Sequence, residues 1–123
     1  MRTHESEEMY LETILLMKRT RSIVRSVDVV EELDYAKSSV SRAVNLLEKK
    51  GYVTIDRIDG NIEFTEEGRK KAESIYDRHK VLTEALMKIG ADKELAEDNA
   101  CRIEHVISDD LFRIIEKFAK ADK

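Results

Sequence analysis

Tyr52-Val53-Thr54-Ile55-Asp56-Arg57-Ile58-Asp59-Gly60-Asn61-Ile62-Glu63-Phe64 decides the fold of this 123-residue chain. Tyr52–Asp56 and Asn61–Phe64 are short β-prone runs of alternating character. Arg57-Ile58-Asp59-Gly60 turns between them, and Asp-Gly is a strong hairpin signal. Just before the hairpin, Ser38 or Ser39 opens a helix with Val40, Val44 and Leu47 at helical spacing, stopped by Gly51. Before that, Ser26 opens a short helix with Val29, Val30 and Leu33 inward, and Asp34–Lys37 forms a tight turn. Glu5 to about Thr20 reads as a first helix, with Thr3 or Ser6 as its cap and Tyr10, Leu11, Ile14, Leu15 and Met17 as its apolar side. Helix, helix-turn-helix, then two-stranded hairpin is the order of a winged helix, in which the second helix of the pair enters the major groove. Its outward side offers Ser38, Ser41, Arg42, Asn45 and Lys49, donors suited to phosphates and base edges. Ser26, Lys37, Ser39 and the wing's Arg57 complete the expected DNA contacts.

Beyond the hairpin the pattern is helical. Thr65-Glu66-Glu67 caps a long helix running to Gly90, with Ala72, Ile75, Leu82, Leu86 and Ile89 as its stripe and His79 inside it. A histidine on an apolar face is more often a satisfied core residue than a ligand. Asp92 or Lys93 begins the next helix, packing through Leu95, Ala96, Ala100, Ile103 and Ile107. Glu97, Cys101, Glu104 and His105 form a separate polar stripe on it, and Cys101, Glu104 and His105 at i, i+3 and i+4 share a face. All three are competent ligands for a first-row divalent metal. The bland alternative makes Cys101 a small buried hydrophobe, Glu104 a solvated acid and His105 a helix-end residue. Met9 and Glu12, one turn apart on the first helix, are by the same token core filler and surface acid. Ser108-Asp109-Asp110 caps a last helix whose Leu111, Ile114, Ile115 and Phe118 stripe suggests a surface covered by a second subunit.

Composition narrows the class. With no Pro and four Gly, long helices are favoured; 39% of residues are charged and the formal net charge is −4. That acidity counts mildly against nucleic acid, but it hides a local bias. Lys18–Arg57 holds nine basic against six acidic residues, whereas Ala72 to the end holds nine against twelve. A single Cys excludes an internal disulfide, and there is no secretory segment or run of 18 apolar residues. A cytoplasmic protein without a membrane span is expected. No Gly-rich phosphate loop, Ser/His/Asp grouping or CxxC is present, so an enzyme is not expected. The alternative is a metal carrier or metal-dependent hydrolase not acting on DNA, and sulfur among the ligands is unusual for hydrolysis. A third reading is a helix-turn-helix regulator whose second half only dimerises, with Cys101 structural.

Ser6-Glu7-Glu8-Met9-Tyr10-Leu11-Glu12, Arg78-His79-Lys80 and Ala100-Cys101-Arg102-Ile103-Glu104-His105-Val106-Ile107-Ser108-Asp109 resemble the metal-dependent repressors of the diphtheria toxin repressor and manganese transport regulator family. The resemblance spans essentially the whole chain. It implies a mainly α fold with a small β-hairpin: a winged helix-turn-helix DNA-binding domain over residues 1–71, then a helical dimerisation and metal-binding domain over 72–123. It also implies a homodimer that binds double-stranded operator DNA when loaded with divalent metal and represses metal-uptake genes. Met9, Cys101, Glu104 and His105 match the primary site of the iron branch. Glu12 matches a manganese-branch ligand, and His79 matches a ligand position in both. Glu97, with His79 and the position of Thr83, matches the ancillary site, where Thr83 replaces a carboxylate. The iron branch usually adds an SH3-like domain, whereas the length here matches the manganese branch. Sulfur ligands favour Fe²⁺ over the harder Mn²⁺, with Zn²⁺ or Co²⁺ as mimics.

Overall fold

The computed structural model describes residues 7–121. The order is α1 (Glu7–Thr20), α2 (Ser26–Leu33), α3 (Lys37–Lys49), β1 (Val53–Ile55), β2 (Ile62–Phe64), α4 (Glu66–Lys88), α5 (Lys93–Ile103) and α6 (Asp109–Lys120). This is a mainly α chain with one antiparallel hairpin. It divides into two compact units, one up to Glu73 and one from Ser74, and α4 contributes to both.

The first unit is the winged helix. Its core is the periodic apolar set: Leu11, Ile14, Val29, Val40, Val44, Leu47 and Ile62 are fully buried. The expected start of α1 at Glu5 and its cap at Thr3 or Ser6 lie outside the described residues. Two helix starts differ from expectation. Arg25, not Ser26, occupies the N-cap of α2, where its backbone N–H donates to Asp28 Oδ2 at 2.8 Å. Likewise α3 begins at Lys37 after Ala36, which offers no side-chain cap, so neither Ser38 nor Ser39 serves as one. The turn between them works through Asp34, in the left-handed region at φ 58°, whose N–H closes on Val30 O.

Val53 pairs with Phe64, Thr54 with Glu63 and Ile55 with Ile62. A third segment supports the hairpin: Val24, fully buried, accepts from Ile62 N at 2.8 Å and donates to Asn61 Oδ1 at 2.9 Å. Thr65 caps α4, its Oγ1 accepting from Gly68 N at 3.0 Å. Gly68 is required by proximity, because a Cβ there would fall onto the Tyr52 carbonyl.

In the second unit, Asp92 and Ser108 cap α5 and α6 by accepting from Leu95 N at 2.8 Å and Leu111 N at 3.2 Å. Each such cap contributes about 1 kcal/mol. Val81 and Ala85 of α4 pack against Ala119, Phe112 and Ile115 of α6. Ile115 therefore faces inward, contrary to the expected four-residue outer stripe. The apolar residues left exposed on α6 are Leu111, Ile114 and Phe118, at i, i+3 and i+7. Ile89 and Leu95, expected to pack, are also exposed.

Candidate metal centre and nucleic-acid interface

The polar centre of the second unit is Glu104. The buried line of α5 runs Ala96, Ala100 and then, four residues on, Glu104, which is 2% exposed. It therefore continues the packing side rather than sharing an outer stripe with Glu97, which is exposed. The helix also ends sooner than the i, i+3, i+4 pattern suggests. Ile103 is its last residue, Glu104 is the C-cap with N–H on Ala100 O, and His105 lies in the following turn. That turn folds His105 back onto the carboxylate: its Nε2 is 3.1 Å from Glu104 Oε2. From α4, His79 Nδ1 is 2.8 Å from Glu104 Oε1. One carboxylate thus lies between two imidazoles.

With the carboxylate ionised, the His79 ring donates through Nδ1, while His105 Nε2 stands within ion-pair distance without hydrogen-bond geometry. His79 then carries its lone pair on Nε2, an atom through which neutral imidazole ligates metals. Removing a carboxylate from water costs several kcal/mol, which the His79 ring N–H offsets in part. A divalent cation would offset it further, and two imidazoles with a carboxylate suit one. Cys101, half-buried one turn before Glu104, adds a thiol to the same part of α5. The residues present therefore fit a metal ion.

Two further contacts fix this region, at Arg78 and at Thr83. Arg78 donates to Ile107 O at 3.2 Å and to Asp109 Oδ1 at 2.6 Å, and its guanidinium lies 4.8 Å from the Phe112 ring centroid. It ties the connector carrying His105 to the helix carrying His79. Thr83 Oγ1 donates to His79 O at 2.8 Å, so this position is occupied by a helix-back-bonded hydroxyl, not a carboxylate.

Met9 and Glu12 belong to the first unit, and both are buried. Tyr35 Oη donates to Met9 Sδ at 3.6 Å, so the thioether already has a donor in that core. On α3, Lys37, Ser38, Ser41, Arg42 and Lys49 are exposed, while Ser39 is half-buried. Ser39 and Arg42 also line a groove with Glu7, Tyr10 and Leu46. Ser26 is half-buried at the start of α2. In the wing, Arg57 lies 3.0–3.1 Å from both carboxylate oxygens of Glu48, so it reaches a phosphate only by sharing or leaving that partner. Lys18 donates to Glu63 at 3.1 Å, and this bond holds the Glu63 carboxyl below its ordinary value of 4.5. No helix among the described residues is long and apolar enough to cross a membrane.

Residues 2–60 match the family model of the iron dependent repressor N-terminal DNA binding domain, and residues 65–121 match that of the iron dependent repressor metal binding and dimerisation domain. An uncharacterised HTH-type transcriptional regulator of Methanocaldococcus jannaschii is 31% identical over 97% of this chain and 96% of its own length. The diphtheria toxin repressor of Corynebacterium glutamicum is 33% identical over 89% of this chain, which spans only 48% of that protein. The solved manganese regulator SloR shares the fold, with a TM-score of 0.83 at 22% identity over 98% of this chain and 56% of that one. Two matched domain models and a near-full-length relative, added to a winged helix followed by a helical unit, show that the chain belongs to the iron-dependent repressor family of metal-dependent DNA-binding transcriptional regulators.

Proposed function

We propose that this protein is a homodimeric repressor that binds operator DNA when loaded with a divalent metal and silences metal-uptake genes, with Fe²⁺ as the favoured ion. The observation that carries this reading is the buried Glu104 carboxylate between His79 and His105. When bound, the ion supplies positive charge to a buried carboxylate that otherwise has one ring N–H, from His79, hydrogen-bonded to it. Glu104, His79 and His105 would hold it, with Cys101 as the sulfur donor of the same unit. Met9 and Glu12 are the candidate ligands from α1, and Glu97 the candidate for an ancillary site. Residues 1–71 would bind DNA and 72–123 would hold metal and dimerise. The exposed α6 face, with Ile114 at 64%, gives the dimer its apolar contact.

On the DNA side, Arg42 would read a base edge, with Ser38, Ser39 and Ser41 beside it on the recognition helix. Lys37, Lys49, Ser26 and Arg57 would contact phosphates. Occupancy reaches DNA by population shift: the ion binds the DNA-competent arrangement better and enriches it. A second reading, activation by Mn²⁺, is favoured by Met9: with its sulfur already accepting from Tyr35, the nitrogen and oxygen donors left suit a harder ion. Duplexes enriched from a random pool, rebound under anaerobic reducing conditions with Fe²⁺, Mn²⁺, Zn²⁺ or no metal, test both. Strongest binding with Fe²⁺ supports the first reading, and strongest binding with Mn²⁺ the second. Equal binding without metal removes both.

A further inference from the structure

A two-stranded hairpin is marginally stable alone in water, and this one has three residues per strand. Its loop is braced internally. Asp56 Oδ1 accepts from Ile58 N at 2.7 Å and Asp59 N at 3.1 Å, and Asp59 Oδ1 accepts from Asn61 N at 2.8 Å. Such bracing fixes the loop's shape but not the direction in which the wing points.

Beyond the Val24–Ile62 backbone bond and the Arg57–Glu48 pair, two cations of the α1–α2 region hold the wing from outside. Lys18, in the last turn of α1, sits where a lysine is normally solvated beside the helix dipole. Instead its side chain is 15% exposed. Its ammonium, with three donors, reaches three acceptors: Ser22 O at 3.0 Å, Asn61 Oδ1 at 3.2 Å and Glu63 Oε2 at 3.1 Å. Asn61 Oδ1 is shared with Val24 N, and Asn61 Nδ2 donates to Glu63 Oε2 at 2.8 Å. The end of α1, the Ser22–Val24 link, Asn61 and Glu63 of β2 are therefore closed into one network. At the tip, Arg25 Nε donates to Asp59 O at 2.7 Å, and its stem leaves van der Waals room at Gly60.

We propose that Lys18 is a positioning residue for DNA binding: together with Arg25 it clamps the wing to the α1–α2 link and sets the wing's direction beside the recognition helix. A hydrophobic side chain in the same place would pack as well without aiming anything, whereas three directed hydrogen bonds from one point fix an orientation. The DNA part of this claim rests on the repressor reading; the clamp itself does not.

The first arm uses the free full chain. Backbone residual dipolar couplings and order parameters are measured for the wild type, Lys18→Met and Lys18→Arg. In Lys18→Met, amides at 57–59 are expected to fall from about 0.85 to below about 0.6 in order parameter and to lose a single orientation relative to α1–α3. Lys18→Arg restores it. Wing couplings in Lys18→Met that superpose on the wild type overturn the clamp. Should Lys18→Met not fold, Glu63→Ala at a half-exposed position takes its place, with lower wing order expected and unchanged order overturning the proposal.

The second arm is a double-mutant cycle of Lys18→Met with Arg57→Ala on a duplex enriched from a random pool. One phosphate contact is worth about 5-fold per subunit at 0.15 M salt. Each single change should cost about that, and the double change no more than either alone. Fully additive losses overturn the DNA role. A wild-type chain that binds no duplex with any metal defeats the repressor reading, while the first arm still decides the clamp.

Discussion

Replacing Glu104 with Gln keeps the shape of the buried side chain and removes its charge. In the metal-free protein the two effects oppose each other. The carboxylate's contact to His79, at 2.8 Å, is a hydrogen bond to a charged group, worth about 1.5–3 kcal/mol, and the His105 ring adds an electrostatic contact at 3.1 Å. Against them stands a desolvation cost of several kcal/mol for a group 2% exposed. The metal-free melting temperature of Glu104→Gln should therefore stay close to that of the wild type. Metal separates the two proteins. Loss of a charged ligand should weaken binding by about 100-fold, the upper end of what removing even an outer-sphere partner costs. At a metal concentration 100 times the wild-type Kd, the wild type gains about 2.7 kcal/mol and the variant about 0.4. At roughly 4 °C per kcal/mol for a chain of this size, that is about 11 °C against about 2 °C. Anaerobic scanning calorimetry with Mn²⁺ or Fe²⁺ reads both numbers. A Glu104→Gln protein that keeps the full metal-induced rise refutes the reasoning.

The other expectations concern the dimer, the reading head and the wing. Ile114→Asp with Phe118→Asp should give a monomer of unchanged helical circular dichroism in sedimentation experiments, while Ile115→Asp should unfold the second unit, since Ile115 packs inside it. Arg42→Ala should relax base preference at one position by about 1–3 kcal/mol, whereas Lys49→Ala should weaken all duplexes alike; an unchanged preference profile for Arg42→Ala would misplace the recognition helix. Glu63 titrates below its ordinary value because Lys18 donates to it, so its contribution to wing stability is present above the unfolded carboxylate value and lost as pH falls through the lowered folded one. Asp56, which accepts from Ile58 N and Asp59 N, is likewise held below its ordinary value by those bonds. Wing amide shifts should accordingly hold steady from pH 7 to the ordinary carboxylate range and change only below it, with Glu63→Gln removing the step around Asn61 and leaving that at Ile58 and Asp59.

Much of this was readable before any coordinates. The Val40, Val44 and Leu47 spacing and the Asp-Gly turn specify recognition helix and wing locally, and both stand where the pattern puts them. Ser108 is a cap by type and position, and it caps. The departures share a cause: they depend on partners far along the chain. Glu104 looks like a surface acid beside Glu97 because its type is polar, yet the Ala96–Ala100 line continued by four residues lands on it. Ile115 and Ile114 are indistinguishable in type, and only the position of α4 decides which one is covered. Lys18 has acceptors 43 and 45 residues away, and no local pattern announces them. Gly68 inside a helix reads as a weak point until the Tyr52 carbonyl occupies the place of its Cβ.

Reciprocal linkage offers the most direct measurement. If metal raises affinity for DNA by some factor, DNA must raise affinity for metal by the same factor. Anaerobic calorimetric titration of Fe²⁺ or Mn²⁺ into the full chain, alone and saturated with an enriched duplex, measures that factor from the metal side. Coupling of about 1–3 kcal/mol, or 5- to 150-fold tighter metal binding on DNA, is the expected result. Metal affinity that is the same with and without DNA would contradict the claim that the Glu104 centre governs the recognition helix.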